Sequence, residues 1–599
     1  MMAEEPLSSL VQTWLLWDQD SKTRSEVEKL RDAGASEELE TLLRKRIEFG
    51  TAGLRGRMSA GFSRMNSLTV IQASQGLAKY IKTRKPQIAS KGVVIGHDAR
   101  HQSRRFAELA ANAFIALQIP VWFFSEISPT PMVPYGINHW KAAAGVMVTA
   151  SHNPPQDNGY KVYSSNGAQI NRPEDADIAQ FIRENLQPWS TAWDELRPNE
   201  FLHDDAYQTL ILPYKEQVAK YAISTVTSQL YVPPFVYTPL HGVGGTVLPA
   251  LCSTQLQSRD FVSAPLQEKP DPDFPTVKFP NPEEAGALDH SMTTADQLGR
   301  ILVIANDPDA DRFAVAEKRG NEWFQFTGDQ IGVLLASHVM EFLDRSSEDP
   351  TKDTFLTTAV SSRMLEKLAT ARGSLFQETL TGFKWLGNVA RDLEGTGQTV
   401  PFAYEEALGY MFSSICYDKD GITAAAVFLM AAAKWKEEGL TPYSKLEQLF
   451  AQHGFHETLN NYFRATNPEL VTQLFRGIRS GPFLPEKKLG PFKILRWRDL
   501  TEGFDSSTAD GNPDLPIDPT SQMLTLWLEG GVQFTLRGSG TEPKVKFYIE
   551  CGTESRDLAT ERVCQTFYAI AKEWIVRYAP SIAIPDKLRT SSGHVMVVE

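Results

Sequence analysis

Five times along this chain a short, uninterrupted apolar run stops at a polar, turn-forming loop. The runs are Val93–Gly96 before His97-Asp98-Ala99-Arg100, Ala144–Val148 before Thr149-Ala150-Ser151-His152-Asn153-Pro154, and Phe235–Tyr237 before Thr238-Pro239-Leu240-His241-Gly242. Two more are Ile301–Ala305 before Asn306-Asp307-Pro308-Asp309-Ala310-Asp311-Arg312, and Phe402–Tyr404 before Glu405-Glu406. A strand with one wet face alternates apolar and polar residues, so unbroken runs belong to strands buried on both faces, as in α/β domains. Helical stretches follow the loops. In such sheets ligands bind beyond the carboxyl ends of the strands, which is where these polar loops fall.

The two ends of the chain read differently. The first ~45 residues have helical spacing of apolar and charged positions and are expected to form an appendage on the first domain. Near the other end, Lys493–Arg498, Met523–Leu528, Val532–Leu536 and Val545–Ile549 are closely spaced strand candidates, with Glu529-Gly530-Gly531 as a hairpin turn. A helix follows, with Val563, Phe567, Ile570 and Trp574 on one face. That combination is α+β. Polar stretches at Asp344–Asp353 and Ser506–Ser521 read as linkers. The 599 residues are too many for one core, and ~150 residues per domain suggests about four.

Composition narrows the function. A formal charge of −13 argues against a general nucleic-acid-binding surface, so any anion site must be a local one. Cys252, Cys416, Cys551 and Cys564 have no CxxC or metal-ligand spacing and read as reduced, small apolar side chains. No apolar window is long enough to span a membrane, and the N-terminal stretch, with Glu4 and Glu5 and an apolar run broken by Gln12 and Thr13, is not expected to be a signal peptide. A cytoplasmic location is expected.

Four loops carry chemistry. In Thr149–Pro154 a serine sits just past a buried strand. An isolated serine there would be an ordinary turn residue, whereas one with His152 beside it and Lys161 close by suits a nucleophile or phosphoryl carrier. In a closed cleft, burial would bring Lys161 down toward proton transfer. In Asn306–Arg312 three carboxylates at i, i+2 and i+4 repel unless a cation collects them, and oxygen-only ligands point to Mg²⁺ or Ca²⁺ rather than zinc. A calcium EF-hand fits poorly, because Arg312 stands at its glycine position and Lys318 at its glutamate position. Magnesium beside a phosphoryl group explains more, with Arg312 on a phosphate oxygen. In Ala403–Tyr410 the paired carboxylates suit sugar hydroxyls, and Thr381-Gly382-Phe383-Lys384-Trp385 adds a turn, a cation and a stacking surface. In Arg537–Lys544 two glycines between hydroxyl residues admit an anion to backbone N–H groups, and Arg537 adds a bidentate fork.

Together with Gly50-Thr51-Ala52-Gly53-Leu54-Arg55-Gly56, these loops resemble the α-D-phosphohexomutase superfamily in order and rough spacing over residues ~45–555. The resemblance implies four domains around a central cleft: 1–205 (the helical appendage and α/β domain I with the phosphoserine loop), 206–324 (α/β domain II with the metal loop), 325–458 (α/β domain III with the sugar loop) and 459–599 (an α+β domain IV with the phosphate loop). It implies that Ser151 carries the phosphoryl group, and that Asp307, Asp309, Asp311 and phospho-Ser151 hold Mg²⁺. It places Arg55, His152, Lys161 and Arg312 in phosphoryl transfer and proton movement. Thr381, Gly382, Lys384, Glu405 and Ala407 would meet the sugar, and Arg537, Ser539, Gly540 and Thr541 its unreacting phosphate.

One departure matters: hexose-specific members have a serine where this chain has Ala407. Stretches such as Asp157–Tyr163, Thr379–Trp385 and Tyr404–Tyr410 are similar to the pentose-phosphate branch, which implies ribose and deoxyribose phosphates first and glucose phosphates second. Glucose 1,6-bisphosphate, or a pentose bisphosphate, would be the activator, and a monomer or weak dimer is expected, with no membrane or nucleic-acid partner. Alternatives are a glucose 1,6-bisphosphate synthase of the same branch, a metal-dependent sugar phosphatase, a mutase with Asp307 as nucleophile, and a non-enzymatic scaffold.

Overall fold

The computed structural model describes residues 5–50, 53–227, 230–258, 260–345, 349–481, 487–538 and 543–598. The chain divides into two compact units, one of Met1–Gln325, Glu341–Ser347 and Gly382–Glu438, the other of Phe326–Met340, Glu348–Thr381 and Gly439–Glu599.

In the first unit, helices Leu7–Trp17, Ser21–Asp32 and Ser36–Leu43 form the expected appendage, burying Val11, Trp14, Val27 and Leu43 against Phe62 and Leu68. The first sheet runs in the order Leu54–Arg57, Asp157–Ser164, Ala144–Val148, Val93–His97, Val121–Phe123, Leu202–His203. Its four last-named strands are parallel, and Asp157–Ser164 and Leu54–Arg57 add to the edge antiparallel. Val93–His97 and Ala144–Val148 are buried at every position, which is why their sequences do not alternate. The second sheet is also mixed: parallel Phe261–Ser263, Phe235–Thr238 and Leu302–Ala305, then antiparallel Ala314–Arg319 and Glu322–Gln325. The strand expected from Ile301 begins at Leu302, and Ile301 is exposed. The same unit holds the hairpin Ala403–Glu405/Gly409–Met411 and the helix Gly421–Glu437, whose N-terminus is capped by Asp420 accepting from the N–H groups of Ile422 and Thr423.

In the second unit, Thr354–Thr358 and Leu375–Thr379 pair in parallel. A separate antiparallel sheet runs Phe455–Arg464, Lys544–Thr553, Val532–Gly538, Met523–Leu528, Phe492–Asp499, Lys488–Leu489. Here burial alternates along Lys544–Thr553, because one face packs on helices and the other does not. Gly530 (φ 88°) and Gly531 (φ 82°) make the expected turn between Leu528 and Val532. The helix Arg556–Ala569 continues through a π-helical turn, Ile570–Ile575, and Val563, Phe567, Ile570 and Trp574 are all buried in the core with Phe463, Phe534 and Phe547. All four cysteines are free thiols.

Candidate active site

The strand Ala144–Val148 delivers its chain to a tight loop in which Ser151 takes a left-handed backbone, φ 55°. Its N–H donates to Thr149 Oγ1 at 2.9 Å, and its Oγ donates to Asp307 Oδ2 at 3.0 Å and lies 3.2 Å from His152 Nδ1. Glycine is required at 159: a Cβ there would sit 2.5 Å from the Thr149 carbonyl oxygen. Burial, reinforced by the cations Arg312 and Arg55, holds His152 well below the ordinary imidazole range, so its ring is neutral at pH 7.

The metal loop follows the strand Leu302–Ala305 in the same way. Asp307, Asp309 and Asp311 are fully buried and present one carboxylate oxygen each within 4.8 Å of one another. Asn306 ties the loop down, accepting from the Tyr237 hydroxyl at 2.9 Å and donating to the Arg312 carbonyl at 2.6 Å. The Arg312 N–H donates to Asp307 Oδ1 at 3.0 Å, and Ala310 supplies the left-handed turn, φ 56°. From the first sheet's domain, Thr130 reaches across with its hydroxyl 2.7 Å from Asp309 Oδ2. Burial and the charges of Asp309 and Asp311 raise Asp307 far above the carboxylate range, while at Asp309 the cost of burial is overcome by Lys161, which holds it low. Among the described residues, Asp309 Oδ1 and Asp311 Oδ1 are buried without a hydrogen-bond partner. Three crowded carboxylates, two with an orphaned oxygen, and no nitrogen or sulfur donor among them fit a hard divalent cation such as Mg²⁺.

Lys161, on Asp157–Ser164 opposite Met147, donates to Asp309 Oδ2 at 2.6 Å and Asp311 Oδ2 at 2.8 Å. The expected fall in its pKa is overturned: burial does lower it, but the two carboxylates outweigh burial and keep the ammonium charged. Arg55 stands on the neighbouring edge strand opposite Gly159, within the electrostatic reach of Asp309, Arg312 and Asp311. Arg312 Nε is 3.9 Å from Asp307 Oδ2. Burial pushes Glu405 up to about 7 against the pull of Lys419.

Lys419 escaped the reading of the sequence. Its ammonium is 3.3 Å from Asp311 Oδ2, and it lies between Asp418 and Asp420, which accept from the Tyr163 and Tyr214 hydroxyls. The signal available was Asp418-Lys419-Asp420-Gly421, a charged tetrad opening an apolar helix. Thr130 was missed too, and nothing local in sequence marks it.

Elsewhere, Gly382 (φ 105°) precedes the helix Phe383–Gly395, where Lys384 Nζ lies 5.8 Å from the Trp385 ring centre. Thr381 stands just before it. Ala407 is in the half-buried turn between the strands Ala403–Glu405 and Gly409–Met411. Arg537 belongs to the second unit, on Val532–Gly538 opposite Met523 and Lys546. Ser539, Gly540 and Thr541 lie outside the described residues, as do Thr51 and Ala52.

Residues 46–188, 213–320 and 327–453 match, in turn, the models of phosphoglucomutase/phosphomannomutase alpha/beta/alpha domains I, II and III. The chain belongs to the phosphoglucomutase/phosphomannomutase family. Within that family it is similar along most of its length to Saccharomyces cerevisiae phosphoribomutase, 41% identical over 602 residues that cover 95% of this chain and 96% of that one. It is 43% identical to Homo sapiens phosphopentomutase over 555 residues, 90% of each chain. Homo sapiens glucose 1,6-bisphosphate synthase is 38% identical over 558 residues, covering 91% of this chain and 90% of that one. Among solved structures, the phosphoglucomutase pp63/parafusin of Paramecium shares the fold, with a TM-score of 0.63 at 18% identity, covering 90% of this chain and 97% of that one.

Proposed function

We propose that this chain is a phosphosugar mutase that interconverts the 1-phosphate and 5- or 6-phosphate of a sugar through phospho-Ser151, with pentose phosphates preferred and glucose phosphates accepted. The observation that carries the reading is the Ser151 hydroxyl, fixed on a left-handed turn 3.0 Å from a buried carboxylate of an oxygen-only triad. The higher identity to phosphoribomutase and phosphopentomutase than to the synthase supports the pentose preference. The four-domain division at 205, 324 and 458 is part of the same proposal.

In the first half-reaction a free sugar hydroxyl attacks the phosphorus of phospho-Ser151. The new bond is sugar O–P, the broken one is Ser151 Oγ–P, and the product is a sugar bisphosphate. In the second, Ser151 Oγ attacks the other phosphate, and the sugar oxygen at that position leaves. Neutral His152, 3.2 Å from Oγ, takes the serine proton in the second half-reaction and returns one in the first. Lys161 is assigned to the sugar oxygen: charged in the resting site, it protonates the leaving oxygen and accepts a proton in the reverse sense. Arg55 and Arg312 hold phosphoryl oxygens, a role in which fixed cations stabilise the developing charge. Asp307, Asp309, Asp311 and phospho-Ser151 would hold Mg²⁺, which when bound supplies positive charge to the transferring group. Glu405 accepts from a sugar hydroxyl, with Thr381, Gly382, Lys384 and Ala407 shaping that end, and Arg537, Ser539, Gly540 and Thr541 bind the unreacting phosphate.

The test is a comparison of initial rates on ribose 1-phosphate and glucose 1-phosphate with Mg²⁺ and catalytic glucose 1,6-bisphosphate, following isomer and free phosphate. A several-fold higher kcat/KM for ribose 1-phosphate is expected. A glucose preference removes the pentose assignment, net bisphosphate accumulation favours a synthase, and phosphate release without isomerisation overturns the mutase.

A further inference from the structure

The loop His97-Asp98-Ala99-Arg100 stands at the end of a buried strand, as the serine and metal loops do, yet no part of the chemistry above uses it. Arg100 is 4% exposed, and its guanidinium points at the underside of the serine loop. It donates to the carbonyl oxygens of Ser151 and Asn153, each at 2.5 Å, of Pro154 at 2.8 Å and of Asp157 at 3.3 Å. Four carbonyl dipoles converging on one point repel one another; a planar cation with several N–H donors reverses the sign of that interaction. A lysine has the charge but neither the spread nor the number of donors.

The guanidinium is itself held. Asp98 Oδ2 lies 3.3 Å from Arg100 Nε, and Asp98 Oδ1 accepts from the Arg100 N–H at 2.9 Å and from the Ser103 hydroxyl at 2.5 Å. On the far side the Phe274 ring lies 4.8 Å from the guanidinium carbon, in cation–π contact. Phe274 has φ 46°, a strained backbone for an aromatic residue, and the neighbouring Asp273 meets His101 at 2.8 Å. A segment of the metal loop's domain is thus seated on the clamp that organises the serine loop.

We propose that Arg100 is the positioning residue of the nucleophile. By gathering the carbonyls of residues 151, 153, 154 and 157 it keeps Ser151 in its left-handed conformation and its Oγ aimed at Asp307, with Phe274 and Asp98 fixing the guanidinium in place. This rests on Ser151 as the phosphoryl carrier only for its kinetic consequences; the clamp itself is a statement about the loop.

The experiment compares the full chain with Arg100→Lys and Arg100→Ala, reading amide hydrogen exchange over 151–157 and over 307–312, then kcat and KM with Mg²⁺. The expected result is exchange at least roughly tenfold faster in the serine loop with the metal loop unchanged. A fall in kcat on the order of 10²-fold with KM held within about threefold is expected for both variants. Added guanidinium should restore part of the loss in Arg100→Ala, which general destabilisation would not allow. If Arg100→Ala does not fold, Arg100→Lys and Phe274→Ala carry the same exchange test. Unchanged serine-loop protection in the folded variants overturns the inference, whatever the enzyme does. A parent chain that does not isomerise sugar phosphates, with the loop still loosened by the variants, overturns the mutase and leaves the clamp standing.

Discussion

The serine loop and the metal loop are built alike and held differently. Each follows a strand buried at every position, each turns through one non-glycine residue in left-handed backbone (Ser151 at φ 55° and Ala310 at φ 56°), and each closes over a glycine that has no room for a Cβ. The serine loop is gathered from below through its carbonyls by Arg100, which leaves its side chains free to face Asp307. The metal loop is gathered through its carboxylates, by Lys161, Lys419 and Thr130. The difference teaches which atoms each loop must keep available. A phosphoryl carrier needs a fixed backbone and a free hydroxyl, whereas a cation site needs crowded anions whose repulsion the surroundings balance until a metal does so.

Replacing Asp309 should break this comparison most severely. Asp309→Ala removes a charge that Lys161 and Thr130 both engage, so kcat should fall on the order of 10³-fold. Magnesium should raise the melting temperature of the parent and leave that of the variant unchanged, because a ligand stabilises only a state that binds it. Initial rates check the first half, and calorimetry with and without Mg²⁺ the second.

The two glycines give a matched pair. A Cβ at 242 would lie 2.3 Å from Pro308 Cα in the metal loop, and one at 159 would lie 2.5 Å from the Thr149 oxygen in the serine loop. Each alanine substitution should cost about 1–3 kcal/mol in denaturant unfolding. Gly242→Ala should weaken Mg²⁺ binding in titration and leave serine phosphorylation per bound metal intact. Gly159→Ala should do the reverse. Equal effects on both readouts would show that the loops are one mechanical unit.

Much of this arrangement was legible in the sequence. The unbroken runs at Val93, Ala144, Phe235 and Leu302 announce doubly buried strands, and the loops that end them hold the serine and the carboxylates. The antiparallel edges Asp157–Ser164 and Ala314–Arg319 were not legible, because pairing direction is set by the connection and not by local composition. Lys419 and Thr130 were missed for a related reason. Each joins the site across a long stretch of chain, 179 residues from Thr130 to Asp309, and such a partner leaves no local periodicity. Lys161 was found, but its charge was misjudged, since its two carboxylate partners sit on a loop 148 and 150 residues away.

Thr130 links the first sheet's domain to the metal loop, so Thr130→Val sharpens the comparison from the other side. Losing one donor to a buried carboxylate should cost about 1–3 kcal/mol and weaken Mg²⁺ binding by ~10-fold or more, with exchange in the serine loop unaltered. A smaller effect is expected at the turn that follows the strand Ala403–Glu405. Ala407→Ser restores a hydroxyl to the half-buried turn after Glu405 and should shift the ratio of kcat/KM for glucose over ribose phosphates upward by less than about tenfold. Paired rate measurements on the two substrates read it directly.

The central claim is that Ser151, and not a residue of the metal loop, carries the phosphoryl group. The parent chain and Ser151→Ala should each be incubated with Mg²⁺ and labelled glucose 1,6-bisphosphate, digested, and mapped by mass spectrometry alongside mutase turnover. The account predicts label on the peptide containing Ser151 in the parent, none in the variant, and a loss of turnover of at least ~10³-fold. Label on Asp307, or a folded Ser151→Ala chain that keeps its mutase turnover, would contradict it.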